Sequence, residues 1–379
     1  MNALSLGQIA VGLVLLVVGG EALVRGASRL ASRLGLSALV IGLTVVAFAT
    51  SAPELAVALD AVQGGAPELA IGNAVGSNIA NVFLVLGASA VILPLAVKSE
   101  LIRLDLPVMV GLSGLLLVLA LDGTLGALDG LLLLAVLTGY VVLSVILGRR
   151  RGRTTATGAA TRERAATREG PATREGAALP AASRGLALAD VAFVARGVGL
   201  LVLGASLLVD GAVSIATSLG VSNLVVGLTV VAVGTSLPEL ATSLVAARQG
   251  ERDLAVGNIV GSNVFNLGLV LGLPALLGGG LPVPDAAVAF DLPVMIAASL
   301  ALLPVAFTGF TVARWEGALF LGLFAAYTAY VVLAAAAHDA LAGFTGVMLA
   351  FVLPIVAVTL IVLAAFEARK RRRAGEPLL

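Results

Sequence analysis

The chain has 379 residues, 59% hydrophobic and 12% charged, with a mean hydropathy of +1.10 and a formal net charge of +1. That balance excludes an ordinary soluble domain and places the chain among polytopic membrane proteins. There is no cysteine and a single histidine, His338, so disulfides, thiolate metal sites and a cysteine nucleophile are excluded and a histidine proton relay is disfavoured.

Eleven apolar spans are predicted, each near the ~20 residues that cross a hydrocarbon core. They run 6–24, 36–62, 67–94, 104–121, 127–147, 189–209, 222–246, 253–279, 287–308, 316–336 and 346–366. No A-x-A site ends the first apolar stretch, Leu6 to Leu23, so it is expected to stay as a span. Basic residues fall in alternate loops: Arg25, Arg29 and Arg33; Lys98 and Arg103; Arg149 to Arg153; Arg248 and Arg252; Arg314; and Arg369 to Arg373. The other loops carry mostly acids, including Glu68, Asp122, Asp129, Asp210, Asp285 and Asp339. The positive-inside rule then puts the N-terminus outside and the C-terminus in the cytoplasm. Arginine outnumbers lysine 21 to 2, a composition expected of a GC-rich prokaryote and hence of its cell membrane.

The sequence divides into a first five-span unit at 1–148, a linker at 149–187, a second five-span unit at 188–337, and an extra span with a basic tail at 338–379. The linker contains near-repeats of ATREG and almost no large apolar residue, so it is expected to be disordered and cytoplasmic. It is too short and too poor in acidic clusters for an ion-sensing domain. The tail, ARKRRR at 368–373, reads as an orientation signal and lipid-surface anchor.

Within the two units one polar phrase is written twice. GLTVVAFATSAPELA at 42–56 returns as GLTVVAVGTSLPELA at 227–241, and GNAVGSNIAN at 72–81 returns as GNIVGSNVFN at 257–266. At a constant offset of 185, residues 35–87 and 220–272 match at 32 of 53 positions without a gap. An odd number of spans separates the copies, so they face opposite ways. The loop charges agree: Arg25, Arg29 and Arg33 align with Asp210, Ser214 and Ser218, while Gln63 and Pro67 align with Arg248 and Arg252. This is an inverted-topology repeat, and the fold class is an all-α polytopic protein of two inverted five-helix repeats plus one C-terminal helix.

The phrases place costly groups at membrane depth. Pro53 and Pro238 lack an N–H and break their helices, depriving the carbonyls of Ala49 and Gly234 of partners. Thr50 and Glu54 share a helical face, as do Thr235 and Glu239, Ser77 and Asn81, and Ser262 and Asn266. Buried carboxyls such as Glu54 and Glu239 point to function. Gly72, Gly76, Gly257 and Gly261 read more simply as close-packing positions. Two carboxylates with hydroxyl, amide and main-chain oxygens suit a hard cation, calcium or several sodium ions alike, whereas soft metals would want Cys or His.

ATSAPE with GNAVGSNIAN, and GTSLPE with GNIVGSNVFN, resemble the paired repeats of the cation/calcium exchanger superfamily, specifically its prokaryotic sodium/calcium antiporters. The resemblance covers both five-span units. It implies cation ligands at Glu54 and Glu239, with Thr50, Ser51, Thr235 and Ser236 around them, together with Ser77, Asn81, Ser262 and Asn266 and the backbone oxygens of Ala47 and Ala232. It implies exchange of several Na⁺ for one Ca²⁺ through overlapping sites, no resident cofactor, and alternating access in which spans one and six slide against the remaining bundle. Some relatives, K⁺-dependent ones among them, carry aspartate where this chain has Asn266, so K⁺-independent exchange is expected.

Asp105 and Asp291, in LDLPVM and FDLPVM, echo one another and are expected at helix termini or interfaces; Asp60 aligns with Val245 and is expected in a vestibule or at the membrane interface. The rival functions are an H⁺/Ca²⁺ antiporter using the same glutamates and a cation channel. A membrane enzyme or a nucleic-acid partner is not expected.

Overall fold

The computed structural model describes residues 3–166, 184–219 and 232–375, with side chains at 4–150, 189–219 and 233–375. Helix α1 (Ala3–Leu34) is followed by a broken second span: α2 (Ala38–Ile41), a π-helical turn at Gly42–Val46, α3 (Ala47–Thr50) and α4 (Ala52–Gln63). The third span is α5 (Glu68–Ala80), a π turn at Asn81–Leu86 and α6 (Gly87–Ile92); strand β1 (Leu95–Ala96) follows. A π turn at Leu101–Asp105 leads into α7 (Leu106–Leu119), then β2 (Thr124–Leu125) and α8 (Ala127–Ala166).

The second unit repeats this order. It comprises α9 (Arg184–Ser218), α10 (Ala232–Gly234), α11 (Leu237–Arg248), and α12 (Arg252–Phe265) with a π turn at Asn266–Val270 and α13 (Gly272–Leu277). Strand β3 (Leu281–Pro282), a π turn at Ala287–Asp291, α14 (Leu292–Phe307), β4 (Thr311–Val312) and α15 (Arg314–Ala335) complete it. Outside the repeats lie α16 (Ala340–Val347), a π turn at Met348–Val352 and α17 (Leu353–Ala374).

Among the described residues, ten helices are long and apolar enough to cross a membrane. They correspond to ten of the eleven predicted spans; the other, 222–246, begins in 220–231, outside the described residues, and its second half is α11. Helix α8 runs on to Ala166, into the stretch expected as a linker. Alanine, arginine and glutamate in that stretch are good helix formers, so composition that cannot build a core can still extend a helix. Residues 167–183 of the expected linker lie outside the described residues.

The inversion is visible in pairs of contacts that exchange when the two units exchange. Strand β1 pairs antiparallel with β4, and β2 with β3, so each unit is stitched to the other by two short bridges. Tyr140 donates to Asp105 and Tyr327 to Asp291, each at 3.0 Å. Both aspartates stand at the N-terminal ends of their helices, as expected, but without a side-chain capping bond; each instead braces a neighbouring span. Asp129 accepts from the Gly126 N–H at 2.8 Å, and Glu316 accepts from the Ala313 N–H at 2.7 Å.

The pairing of α1 with α9 has the same symmetry. The helices lie antiparallel with glycines every seventh residue, Gly12, Gly19 and Gly26 on one and Gly197, Gly204 and Gly211 on the other. A methyl added to Gly12 would come within 2.7 Å of the Gly204 carbonyl oxygen, and one added to Gly197 within 2.6 Å of the Leu23 nitrogen. Only glycine lets the two backbones approach this closely. One end of the pair is closed by the Ser5–Ser214 hydroxyl contact at 2.8 Å, the other by an Arg33–Asp190 ion pair. Among the ten described spans the third and eighth are the most enclosed, and α17 lies at the periphery.

Candidate cation site

The two breaks form where the sequence places proline. Ser51 (φ −82°, ψ 1°) and Ser236 (φ −87°, ψ 3°) leave helical geometry. Pro53 and Pro238 then occupy the first turns of α4 and α11, where a missing N–H costs nothing. Glu54 and Glu239 sit in those same first turns, at the positive ends of their helices.

Both glutamates are fully buried, and none of their four carboxylate oxygens has a hydrogen-bond partner. The two side chains lie near each other, and the hydroxyls of Thr50 and Ser262 lie beside Glu239. Ser51 Oγ, Ser236 Oγ, Asn81 Oδ1 and Asn266 Oδ1 are likewise buried without a partner. The predicted residues thus supply eight buried, unpartnered oxygens: four from carboxylates, two from hydroxyls and two from amides. Such groups are rare in folded proteins because each carries a desolvation cost. A hard cation taking about 6–8 oxygens fits this donor set.

The halves meet through symmetric hydroxyl contacts. Thr50 Oγ1 lies 3.2 Å from Ser262 Oγ, and Ser77 Oγ lies 3.4 Å from Thr235 Oγ1, each pair joining one unit to the other. Thr50 also donates to Asn258 Oδ1 at 3.1 Å and lies 3.4 Å from the Ala47 carbonyl. That carbonyl already accepts the Ser51 N–H at 2.9 Å, leaving its second lone pair. Ala232 is described by its backbone alone, at the start of α10. Gly257 and Gly261 pack as expected: a methyl on either would reach 2.7 Å from the carbonyl of Leu39 or Leu43 respectively. The counterpart neighbours of Gly72 and Gly76, near 224–231, lie outside the described residues. Asp60 is exposed.

A further tier of polar residues was missed by the sequence reasoning. Asn73 donates to the Glu54 carbonyl at 3.0 Å, and Asn258 to Ser243 Oγ at 3.3 Å. Asn78 donates to the Asn263 carbonyl at 3.2 Å and to Met295 Sδ at 3.7 Å, while Asn263 donates to Met109 Sδ at 3.4 Å. Thr242 is fully buried with an unpartnered hydroxyl. Their signal was available, since Asn73, Asn78, Asn258 and Asn263 all fall inside the doubled phrase.

A family model described as "Sodium/calcium exchanger protein" matches residues 4–146 and 190–333. The chain belongs to the sodium/calcium exchanger family. Within this family, the sodium/calcium exchanger MaX1 of Methanosarcina acetivorans is 34% identical over 346 residues, covering 84% of this chain and 96% of the relative. The inner membrane protein YrbG of Escherichia coli is 40% identical over 299 residues, covering 78% and 87% respectively. A solved structure of the sodium-calcium exchanger NCX_Mj superposes with a TM-score of 0.69 at 33% identity, covering 86% of this chain and 97% of that one. The fold of this multi-pass exchanger is therefore the one expected, and α16 and α17 lie beyond the matched residues.

Proposed function

We propose that this chain is a secondary antiporter that exchanges Na⁺ for Ca²⁺ across the cell membrane by alternating access. The observation that carries the reading is the pair of fully buried, unpartnered carboxylates, Glu54 and Glu239, contributed by two inverted repeats. Two carboxylates neutralise one Ca²⁺ or two Na⁺, so the same oxygens can serve either ion in turn. Thr50, Ser51, Ser77, Asn81, Thr235, Ser236, Ser262 and Asn266, with the main-chain oxygens of Ala47 and Ala232, complete the binding set. With an amide at position 266, exchange is K⁺-independent. The names of MaX1 and NCX_Mj, which are called sodium/calcium exchangers, support the choice of ions.

The loop charges support an external N-terminus and cytoplasmic 149–187 and C-terminal segments. In this reading 1–148 and 188–337 are the exchanging units and 338–379 an accessory helix and tail. The test is Ca²⁺ uptake by purified protein in liposomes. Uptake should require internal Na⁺, saturate, and be the same whether K⁺ or choline is the counter-cation. Uptake that follows a pH gradient and ignores Na⁺ would instead assign a proton-coupled antiporter, and non-saturating flux a channel.

A further inference from the structure

Asn266 is fully buried, and its amide is held by one side chain. Its Nδ2 donates to Asn78 Oδ1 at 3.1 Å, while its own Oδ1 has no partner. The orientation of Asn78 is in turn fixed by two neighbours that can only accept. Its Nδ2 meets the main-chain carbonyl of Asn263 at 3.2 Å and the thioether of Met295 at 3.7 Å. A carbonyl and a thioether offer no proton, so turning the Asn78 amide over would set oxygen against oxygen. The direction of the whole relay therefore starts from a backbone group that cannot be reversed.

We propose that Asn78 is a positioning and specificity residue of the cation site, acting through Asn266. It presents an oxygen to position 266, so position 266 must donate, and the remaining oxygen of Asn266 is turned to face the bound cation. An ionised aspartate at 266 has no proton to give and would set its charge against Asn78 Oδ1. Asn78 thus holds the site to two carboxylates, Glu54 and Glu239, and specifies a neutral ligand at 266.

The inverted repeat offers the same pair of groups a second time. The counterpart of the Asn266–Asn78 contact joins Asn81 to Asn263, and its donor and acceptor, Asn81 Nδ2 and Asn263 Oδ1, are both buried and unpartnered. The complementary atoms are present in both halves, and the contact is made in one of them. Because Asn78 touches Asn266 rather than the proposed ion, its effect on binding should depend on what stands at 266.

This inference rests on the proposed cation site, and a binding assay separates the two. Ca²⁺ is titrated calorimetrically into purified full-length protein in Na⁺-free buffer, comparing wild type, Asn78→Ala, Asn266→Asp and the double variant. Asn78→Ala should weaken Ca²⁺ binding about tenfold in the wild-type background, roughly one lost hydrogen bond's worth of positioning. In the Asn266→Asp background the same change removes the oxygen that opposes the introduced carboxylate, so it should tighten binding. That reversal of sign is a coupling that a merely structural role does not produce. An Asn78→Ala effect of the same sign and size in both backgrounds, or none in either, overturns the proposal. So does Asn266→Asp binding Ca²⁺ more tightly than wild type, as added charge alone would have it. Should Asn78→Ala fail to fold, Asn78→Leu keeps the side-chain volume, removes both amide atoms and with them the acceptor offered to 266, and is read the same way. Wild-type protein that binds no Ca²⁺ would refute the cation site itself, and this inference with it.

Discussion

Replacing Glu54 by glutamine should separate divalent from monovalent binding by charge alone. Glu54 is fully buried, its carboxylate oxygens have no protein partner among the described residues, and it shares the site with a second carboxylate, Glu239. With both ionised the site carries two negative charges, which one Ca²⁺ cancels. After Glu54→Gln the site carries one, and a bound Ca²⁺ leaves one positive charge uncompensated in a buried environment. Removing one partner of a buried charge pair costs about 3–5 kcal/mol, so a loss of about 4 kcal/mol for Ca²⁺ corresponds to roughly a thousandfold in affinity. The lost interaction scales with the charge of the ion, so a single Na⁺ should lose about half as much, about 2 kcal/mol or some thirtyfold. Equilibrium binding of Ca²⁺, and its competition by Na⁺, measured on the purified variant, gives both numbers. Equal losses for the two ions, or a Ca²⁺ affinity within tenfold of wild type, would refute the two-carboxylate reasoning.

Other perturbations test the scaffold. Gly197→Val sets a branched side chain where even a methyl would lie 2.6 Å from the Leu23 backbone; a loss of about 2 kcal/mol is expected, read as a lower thermal midpoint in detergent together with loss of uptake. Arg33→Ala leaves the buried carboxylate of Asp190 without its ion-pair partner, and should cost about 3 kcal/mol in the same melt. Arg25→Ala breaks a pair whose side chains are 57% and 44% exposed and should cost about 0.5 kcal/mol or less; equal effects of the two arginines would contradict the burial argument. Arg371 stacks 4.0 Å from the centroid of Phe310 and pairs with Glu367 at 3.0 Å. Arg371→Ala should therefore loosen the end of α17 to limited proteolysis while leaving Ca²⁺ uptake intact.

The candidate site was legible because its chemistry is concentrated in a short phrase that occurs twice. Proline, serine and glutamate in T-S-x-P-E specify the break and the carboxylate locally, and Ser51, Ser236, Glu54 and Glu239 stand where that grammar puts them. Ten of the eleven predicted spans followed from apolar length, and the inversion from the doubled phrase and the arginine placement, all of which are properties of segments. The second polar tier was harder to read because the partners of Asn78 and Asn263 are a main-chain carbonyl and two methionine sulfurs from the opposite unit, which no spacing rule encodes. The strand bridges were invisible for a similar reason: two-residue pairings such as Leu95 with Val312 carry no periodicity. The sevenfold glycine spacing of α1 and α9 was present in the sequence, but its meaning depends on which helix lies opposite.

Those two-residue bridges also constrain when the protein can become complete. Leu95 pairs with Val312 and Leu125 with Leu281, so the first unit remains unfinished until nearly the whole second unit has been synthesised and inserted. Contacts between residues so distant in the chain close late, since the entropy of the intervening loop must be met first. Each unit therefore waits for the other, and a chain truncated just before residue 311 would keep the partners of the β2–β3 bridge but lack those of the β1–β4 bridge.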